Sequence, residues 1–589
     1  MSKKYIELLF FTCFIVVAAL LLWLNEDVLY MAQQHSLFLR STHFFADKMR
    51  EVGGLLIWLG LTGTQCFHYP ALGIALLLTL WALIYQLLHR TFPLPHSWRW
   101  LHLLPLSALV ASIIGVGYWL YYLKMPGYWV RESIGLLLAL FLQQVFIGFG
   151  KGDSVKPRKG WQIAGILLAA ASYPLLGWYS TLALLLMAVR SALQHCWQSL
   201  CLALIAATML PPVIARQYTT LRWQEAWTAH FPHAEFTGAE SSLITGAFVA
   251  LTLILIVIVV VSHLQPKRGG WKVATTGALA AVCGMLCTHI TDYNFHAELR
   301  MYRALEECRW DDVLQDMKEA PSGPTRQMVS CKNVALLHKG SLAQDMFRYD
   351  NIGPEPIVPD SLPLHMAHTC APLLYLYHGM ANDATHWAIE NSVEFGFTND
   401  NLKILALAAL VSNETDLARK YFDLLRIAPF NEAFVHRYYP LLFKRELMSQ
   451  QPEMLLMCEL NRDLDTRVRK DDGSPEFRIY RTFAEVTGYQ SVRTEELALI
   501  YSMMLKSYEC FWPHLYAFSR LTRSGKMPVA VQEAAYLGCQ HDAEHYPASN
   551  FRFDANIPAR YEVFHSVAKP INDHSYWYFY YFCNDAKTY

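Results

Sequence analysis

Long apolar segments that are almost free of charged residues fill the first half of the chain, and they constrain its fold more than any other feature. A helix needs about 20 largely apolar residues to cross a bilayer. Nine segments meet or approach this length: 6–24, 67–88, 101–122, 133–149, 161–176, 179–192, 197–215, 243–262 and 271–289. The fifth and sixth are short and share a turn at Gly177, so a single broken element, giving eight segments, is the alternative. The sequence therefore predicts a transmembrane helical domain over residues 1–290.

The basic residues between these segments favour nine crossings. If the N-terminus is cytoplasmic, nine crossings place more Lys and Arg in the inner loops than in the outer ones, as the positive-inside bias requires. Eight crossings would put Lys267, Arg268 and Lys272 outside together. Nine crossings leave residues 291–589 outside. We therefore expect a bacterial inner-membrane protein that contacts membrane lipids and has a periplasmic C-terminal domain.

The two halves of the chain differ in their content of charged residues, and the net charge argues against nucleic acid as a partner. Charged residues make up 17% of the chain and hydrophobic residues 54%, and most of the charges follow residue 291. The formal net charge is zero, so no global basic field favours a nucleic-acid partner. The apolar segments themselves carry almost no Asp, Glu, Lys or Arg, which argues against a proton-driven pump.

Apolar residues recur at spacings of three and four in the second half, and this spacing indicates helices. One stretch resembles a tetratricopeptide unit, through Leu402, Leu405, Ala406, Ala409, Ala418, Phe422 and Pro429. Small residues allow close helix contact, and the proline ends the second helix. The fold class that we predict is therefore an all-α membrane protein, with a bundle of about nine transmembrane helices followed by a soluble, tetratricopeptide-like hairpin array. Such arrays often bind proteins, here proteins of the envelope.

The first outer loop, residues 25–66, is the most informative part of the apolar half. Its residues 53–65 are apolar but too short to span, which favours an interfacial or re-entrant helix. The loop is either a lid over the bundle or a substrate-facing surface whose carboxylates Asp27, Asp47 and Glu51 act at the membrane. A second long outer loop, 216–242, contains Trp223 and Trp227, which are typical of interfacial anchors.

Other motifs give weaker signals. His541, Glu544 and His545 match an inverted zinc-peptidase pattern, but Tyr546-Pro547 follows at once, and we predict no metal site. No Walker A loop, GxGxxG turn or GxSxG elbow occurs, so nucleotide-driven transport and serine hydrolysis lack support, and the sequence identifies no cofactor. Cys308 and Cys331 are either a disulfide of a periplasmic domain or two buried thiols.

Two stretches carry a family resemblance. They are Gly53-Gly54-Leu55-Leu56 through Gly60, Thr64-Gln65 and Tyr69-Pro70-Ala71-Leu72-Gly73, and the aromatic tail Tyr576-Trp577-Tyr578-Phe579-Tyr580-Tyr581. They resemble an uncharacterised bacterial family, a domain of unknown function found in multi-pass inner-membrane proteins with helical C-terminal domains. The family implies this architecture for most of the chain and no activity.

The layout is also similar to that of GT-C glycosyltransferases, which have many spans, an acidic first outer loop and often an external C-terminal domain. The resemblance implies that Asp27 or Asp47 is a base toward an acceptor while a lipid-linked sugar binds nearby. This chain lacks an acidic pair at Asp47, and Glu26-Asp27 directly follows the first span. Two hypotheses result: a membrane-embedded glycosyltransferase, or a non-catalytic scaffold that binds envelope proteins.

Overall fold

Helices account for all the regular secondary structure in a computed structural model of the chain. The structure describes residues 3–121, 127–148, 159–218, 222, 241–265, 271–288, 292–320, 323–351, 366, 369–464, 474–522, 527–567 and 572–583, and within these ranges it contains no strand. The chain divides into two compact units. The first comprises 1–291, 395–400 and 424–432, and the second comprises 292–394, 401–423 and 433–589.

Apolar helices dominate the first unit. They are α1 (Lys3–Leu24), α2 (Glu26–Gln34), α3 (Thr42–Met49), α4 (Gly54–Thr64), α5 (Pro70–Thr91), α6 (Leu103–Ile114), α7 (Tyr128–Ile147), α8 (Lys159–Ala171), α9 (Tyr173–Leu176), α10 (Trp178–Leu193), α11 (Trp197–Tyr218), α12 (Ser241–Leu264) and α13 (Trp271–Cys287). Single 3₁₀ turns lie at Gln65–His68, His96–His102 and Gly117–Tyr121.

Fewer of these helices qualify as membrane spans than the sequence predicts. Helices occupy the nine predicted segments. Among the described residues, five helices are long and apolar enough to cross a membrane: Pro70–Thr91, His96–Ile114, Tyr128–Ile147, Trp197–Gln217 and Gly246–Leu264. A sixth results if α1 and α2, bent by 63°, count as one span. The segment 161–176 is split at Ser172 into α8 and α9, and Trp178–Leu193 and Thr275–Cys287 are shorter apolar helices.

Most of the second predicted outer loop lies outside the residues that the structure describes. Of residues 216–242 the structure describes 216–218, 222, 241 and 242, so Trp223 and Trp227 lie outside the described residues.

Shorter amphipathic and buried helices build the second unit. They are α14 (Tyr293–Glu306), α15 (Trp310–Glu319), α16 (Arg326–Lys339), α17 (Leu342–Asp345), α18 (Ala371–Tyr377), α19 (Ala381–Phe395), α20 (Asn399–Val411), α21 (Thr415–Ile427), α22 (Glu432–Tyr438), α23 (Pro452–Leu464), α24 (Pro475–Ala484), α25 (Val492–Met504), α26 (Tyr508–Thr522), α27 (Val529–His541), α28 (Asn556–Ser566) and α29 (Tyr576–Phe582). Four short parts of these helices belong to the first unit: the last residue of α19, the start of α20, the end of α21 and the first residue of α22.

The tetratricopeptide-like stretch forms a helical hairpin. Leu402 and Leu405 on α20 and Ala418 and Phe422 on α21 are fully or almost fully buried. The two helices are joined by a turn in which Asn413 adopts a φ of 65°, a conformation that asparagine tolerates well. The local hairpin is therefore observed, while its membership of a tetratricopeptide-like array stays a prediction.

The aromatic tail packs against the second unit through one side of α29. Trp577 is fully buried and its Nε1 donates a hydrogen bond of 2.8 Å to the carbonyl of Glu533. Lys506 Nζ donates to the carbonyls of Tyr580 and Cys583 at 2.8 and 2.6 Å, which caps the end of the helix. Phe582 is 51% exposed, so the tail has one core face and one exposed face.

We expect Trp577→Ala to destabilise the second unit strongly, because it removes a fully buried indole and a hydrogen bond. A loss of about 3–5 kcal/mol in the free energy of unfolding is typical of such a truncation. Phe582→Ala, on the exposed face of the same helix, should change it by less than about 1 kcal/mol. Pulse proteolysis of the full chain in urea measures both, and equal losses would contradict this assignment of faces.

Candidate functional site

The chain bends sharply where the first apolar helix ends. Helices α1 and α2 meet at 63° around Asn25, whose Nδ2 donates to the carbonyl of Leu21 at 2.8 Å. Asp27 lies directly after this bend in the first turn of α2 and is half-buried. Its Oδ1 accepts a hydrogen bond of 3.0 Å from the backbone N–H of Val28. A carboxylate at this position is favoured by the helix dipole.

Asp47 and Glu51, the other predicted site residues, lie at the surface. Asp47 is on α3 and pairs with Arg50 at 3.3 Å, and Glu51 follows α3 and pairs with Lys48 at 2.7 Å. Their side chains are 73% and 47% exposed. Exposed pairs of this kind contribute about 0–1 kcal/mol. Each of the two carboxylates thus faces water with a neighbouring cation, whereas the side chain of Asp27 is half-buried.

Glycines seat the short helix α4 against the rest of the first unit. A Cβ on Gly60 would lie 2.8 Å from the Cβ of Arg131 and 2.9 Å from the carbonyl oxygen of Gly127, so only glycine fits. At the start of α4, Gly53 adopts a φ of 78° and its N–H donates to the carbonyl of Pro174 at 2.8 Å. The glycine pattern that marks the family resemblance therefore fixes residues 53–60 to α7 and to the turn before α10.

A buried amide network includes side chains of residues 33–65, and it was not predicted from the sequence. Gln33 Nε2 donates to Gln65 Oε1 at 3.0 Å, and Gln65 Nε2 donates to Ser36 Oγ at 3.1 Å. Asn431 Nδ2 donates to Asn399 Oδ1 at 3.2 Å, and the backbone N–H of Asn399 donates to the carbonyl of Ser36 at 3.3 Å. All five residues are at most 2% exposed. A neutral, paired network of this kind specifies a unique packing and holds no free charge.

A second buried polar group lies on α7. Tyr128, Glu132 and Gly135 follow one another at spacings of four and three, so they share one face of the helix. A Cβ on Gly135 would lie 2.6 Å from the ring of Tyr179, which places this ring of α10 directly over that face. Glu132 is 3% exposed, Tyr128 7% and Tyr179 3%.

The buried polar groups of this α7 cluster (Tyr128, Glu132 and Tyr179) interact with one another. Glu132 and Tyr128 interact through their side chains, and Glu132 also interacts electrostatically with Tyr179. A buried polar atom without such a neighbour costs about 1–3 kcal/mol. Helix α7 is among the described helices long and apolar enough to span a membrane, and it begins five residues before the predicted segment 133–149, so it includes Arg131 and Glu132. The predicted segment began at residue 133, one position after Glu132.

The second unit buries charges too, but in pairs. Helix α16 is buried along most of its length, and its Arg326 forms an ion pair with Glu476 where both side chains are less than 10% exposed. On the same helix, Asn333 Nδ2 donates to Tyr480 Oη at 2.9 Å. Buried pairs of this kind are costly to break, because removal of one partner leaves the other charge unpaired.

Lys332 is a buried cation of α16 whose pKa is strongly lowered. Its side chain is inaccessible to solvent, and its Nζ donates to Asn351 Oδ1. Burial lowers the pKa of Lys332 from 10.5 to about 7, and the nearby Asp350 partly opposes this shift. The ammonium and neutral forms are therefore both populated near neutral pH, a property that lysine seldom has at a surface.

The cysteines of the second unit are free thiols, as are all thirteen in the chain. Cys308 lies in a turn with a φ of 58°, where its Sγ is 3.6 Å from the hydroxyl of Tyr377 and 3.9 Å from that of Tyr438. Burial raises the pKa of the Cys308 thiol, so it is a weak nucleophile. Of the two alternatives for Cys308 and Cys331, the structure has free thiols, and Cys331 is buried.

The inverted zinc-peptidase pattern is not presented on one helix face. Helix α27 ends at His541, and beyond it Asp542 Oδ1 lies 2.9 Å from His545 Nδ1. The described residues contain no group of three or more His, Cys, Asp or Glu side chains that could hold a metal ion.

These features define an all-α protein with several helices that could cross a membrane and a second, more polar helical unit. The chain belongs to the family of unknown function DUF6057, whose model matches residues 1–583. This confirms the resemblance to an uncharacterised family covering most of the chain. No curated protein and no solved structure matches the chain.

We expect the stability of the second unit to rise with pH between 7 and 10.5, because Lys332 has a pKa of about 7 in the folded protein and the ordinary lysine value of 10.5 in the unfolded chain. The unfolded state binds more protons in this window, so each pH unit adds up to about 1.4 kcal/mol. Lys332→Met should remove this component. Lys339→Met, at a half-buried lysine on the same helix that pairs with Asp311, should retain it.

The measurement is pulse proteolysis of the full chain in urea at several pH values. Other groups also titrate at high pH. The contribution of Lys332 is therefore the difference in the free energy of unfolding between Lys332→Met and the parent chain at each pH. Parallel curves for the two proteins would show that Lys332 is charged throughout.

Proposed function

We propose that this chain is a multi-pass protein of the bacterial inner membrane and an enzyme like the GT-C glycosyltransferases, acting on a lipid-linked sugar. In this proposal the N-terminus is cytoplasmic, the apolar helices of the first unit make nine crossings, and the second unit is periplasmic. The presence of a helix in each of the nine predicted segments supports it, as does the excess of Lys and Arg in the loops assigned to the cytoplasm.

The position of Asp27 carries the catalytic part of the proposal. It is the one predicted carboxylate that is partly shielded from water and lies at the bend where the first apolar helix ends. A general base works best in a site from which water is largely excluded, since electrostatic interactions are stronger there. Asp47 and Glu51 are exposed and each has a cationic neighbour, so they fit this role less well.

The reaction requires one base and one leaving group. Asp27 accepts the proton of an acceptor hydroxyl, whose oxygen forms a bond to the anomeric carbon of the donor sugar. The bond from that carbon to the lipid-linked phosphate breaks, and the phosphate oxygen leaves with the electron pair. The short helix α4, seated by Gly60 against α7, holds the first outer loop beside this step. The second unit positions the acceptor.

A non-catalytic scaffold is the alternative, and one observation favours it. Helices α28 and α29 leave large apolar side chains exposed, with Val563 at 65% and Phe582 at 51%. Clusters of this kind mark contact surfaces for proteins or membranes. In this alternative the second unit binds envelope proteins, and the first unit anchors it.

We expect Asp27→Asn to abolish product formation at normal protein abundance. The change keeps the size of the side chain and removes its basicity, and loss of a general base typically slows a reaction by about 10²–10⁴-fold. Asp47→Asn and Glu51→Gln, which alter exposed carboxylates, serve as matched controls and should retain product. The measurement compares envelope glycans and lipid-linked sugars between a deletion strain and strains that express each variant.

An unchanged glycan profile in the Asp27→Asn strain would remove the enzyme proposal and leave the scaffold. Loss of product in Asp47→Asn or Glu51→Gln, with Asp27→Asn active, would move the catalytic role to the surface of the loop.

We expect alkaline phosphatase fused after Tyr589 to be active and a green fluorescent protein fused there to be dark, because only a periplasmic location gives this combination. Truncated fusions after Gln265, the last described residue after α12, should show the reverse. A fluorescent, phosphatase-negative fusion after Tyr589 would contradict an odd number of crossings and, with it, the periplasmic second unit.

A further inference from the structure

Two short segments from the second half of the sequence belong to the first unit. They are residues 395–400 and 424–432. The segments lie side by side, because Asn431 Nδ2 donates to Asn399 Oδ1 at 3.2 Å. The backbone N–H of Asn399 donates to the carbonyl of Ser36 at 3.3 Å, and the backbone N–H of Arg40 donates to the carbonyl of Ile427 at 2.9 Å. Hydrogen bonds thus hold both segments on the chain that follows α2.

The second segment also packs on the residues that lead into α5. The ring of Phe430 stacks on His68, with 5.1 Å between the ring centroids, and meets Tyr69 edge-on at 5.4 Å. Tyr69 directly precedes Pro70, the first residue of α5, and this helix is long and apolar enough to cross a membrane. Both segments therefore lie near the N-terminal end of a helix that could span a bilayer.

Large apolar side chains are exposed at this end of the first unit. Phe397 is 53% exposed and Tyr69 56%, and Leu424 and Ile427 are each exposed by more than one-third. These four side chains are termed the α5-end surface. Leu72, three residues after Tyr69, is exposed as well, so apolar exposure continues from this surface onto α5 itself. One apolar environment that covers α5 would reach the α5-end surface too.

Helix α21 changes in polarity where it enters the first unit. Before residue 424 its exposed side chains are all charged: Asp416, Arg419, Lys420 and Asp423. Leu424 and Ile427 are exposed only at its C-terminal end, which is the part that belongs to the first unit. A helix that lay wholly in water would gain nothing from this order. The order suits a helix whose last turn reaches the surface of a membrane.

We propose that the α5-end surface lies in the headgroup layer of the membrane and contacts phospholipids. The ring of Tyr69 lies beside the upper acyl chains with its hydroxyl among the headgroups, an arrangement that tyrosine favours at this depth. Phe397, Leu424 and Ile427 cover the adjoining lipid. The inference rests on the proposed function, since it requires α5 to span the membrane, and in that topology the start of α5 faces the periplasm.

Cations at the edge of the α5-end surface fit a phospholipid. Arg40 is held beside Ile427 by its backbone hydrogen bond, and Arg426 precedes Ile427 on α21. Both arginines are exposed, and the pair of Arg40 with Glu432 is long at 3.9 Å. A guanidinium group has five N–H donors and matches the geometry of a phosphate. A phospholipid therefore complements the apolar side chains and the cations of this surface together, through its acyl chains and its phosphate.

The experiment introduces the photoreactive amino acid p-benzoylphenylalanine at single positions of the full chain. Each variant is placed in nanodiscs of phosphatidylethanolamine and phosphatidylglycerol that carry radioactive phosphorus, and radioactivity attached to the chain is measured after irradiation. The matched control is Leu455→p-benzoylphenylalanine, at a side chain of α23 that is 50% exposed. Phe397→p-benzoylphenylalanine and Ile427→p-benzoylphenylalanine should each attach about tenfold more lipid than the control, the ratio that a preference of about 1.4 kcal/mol gives.

A variant on α5 separates this inference from the proposed function. Leu83 is an exposed side chain within the apolar part of α5, so Leu83→p-benzoylphenylalanine should attach lipid if α5 spans the membrane. Absence of lipid at Leu83 would contradict the membrane placement on which the proposed function depends. Lipid at Leu83 together with only the control level at Phe397 and Ile427 would overturn this inference alone.

Other occupants of the α5-end surface give different products. Adducts at twice the mass of the chain, without attached lipid, would show that the surface joins two copies, and adducts to another protein after irradiation in cells would show a protein partner. Either product would contradict the proposal, as would equal attachment of lipid at Leu455. If the Ile427 variant does not elute as a monodisperse protein, Tyr69→p-benzoylphenylalanine takes its place, because it exchanges one exposed aromatic ring for another.

Discussion

Close backbone contact through glycine is the interaction on which the first unit depends. A helix of eleven residues such as α4 cannot cross a membrane by itself, so it needs a surface that accepts it at short range. Gly60 provides this contact against Gly127 and Arg131, and Gly53 provides it against the turn at Pro174. These contacts place α4 over the start of α7, which is where the buried Glu132 lies. A side chain at Gly60 would separate the two helices and expose this region.

Hydrophobic periodicity predicted the elements of the first unit but not their lengths. Each predicted apolar segment contains a helix, because an apolar run of this size has few other ways to satisfy its backbone. The segment 161–176 broke into α8 and α9 next to Tyr173-Pro174, and a proline that starts a new helix is compatible with that break. Average hydropathy does not register such a break, so the sequence alone left open whether this region is one element or two.

The candidate sites were predicted less well, for two physical reasons. Glu132 was missed because a hydropathy window excludes a charged residue at its edge, although the helix itself begins at Tyr128. The amide network was missed because Gln33 and Asn399 are 366 positions apart in sequence, and a single sequence gives no information on contacts at that separation. The exposure of Asp47 and Glu51 depends on which side of α3 and of the turn after it is covered, and this is a tertiary property that the sequence does not give.

Buried polar groups specify how helices pack in both units. In the second unit, Arg326 forms an ion pair with Glu476, and Asn333 donates to Tyr480, so α16 and α24 are joined by two polar contacts. In the first unit, the amide network joins Gln33 to Gln65, and on α7 Glu132 interacts with Tyr128 and with Tyr179 of α10. Removal of one partner leaves the other polar group buried alone, which costs about 1–3 kcal/mol and more for a charge. Apolar contacts tolerate small shifts between helices, whereas these polar contacts are satisfied in one arrangement, so they determine which helices pack together.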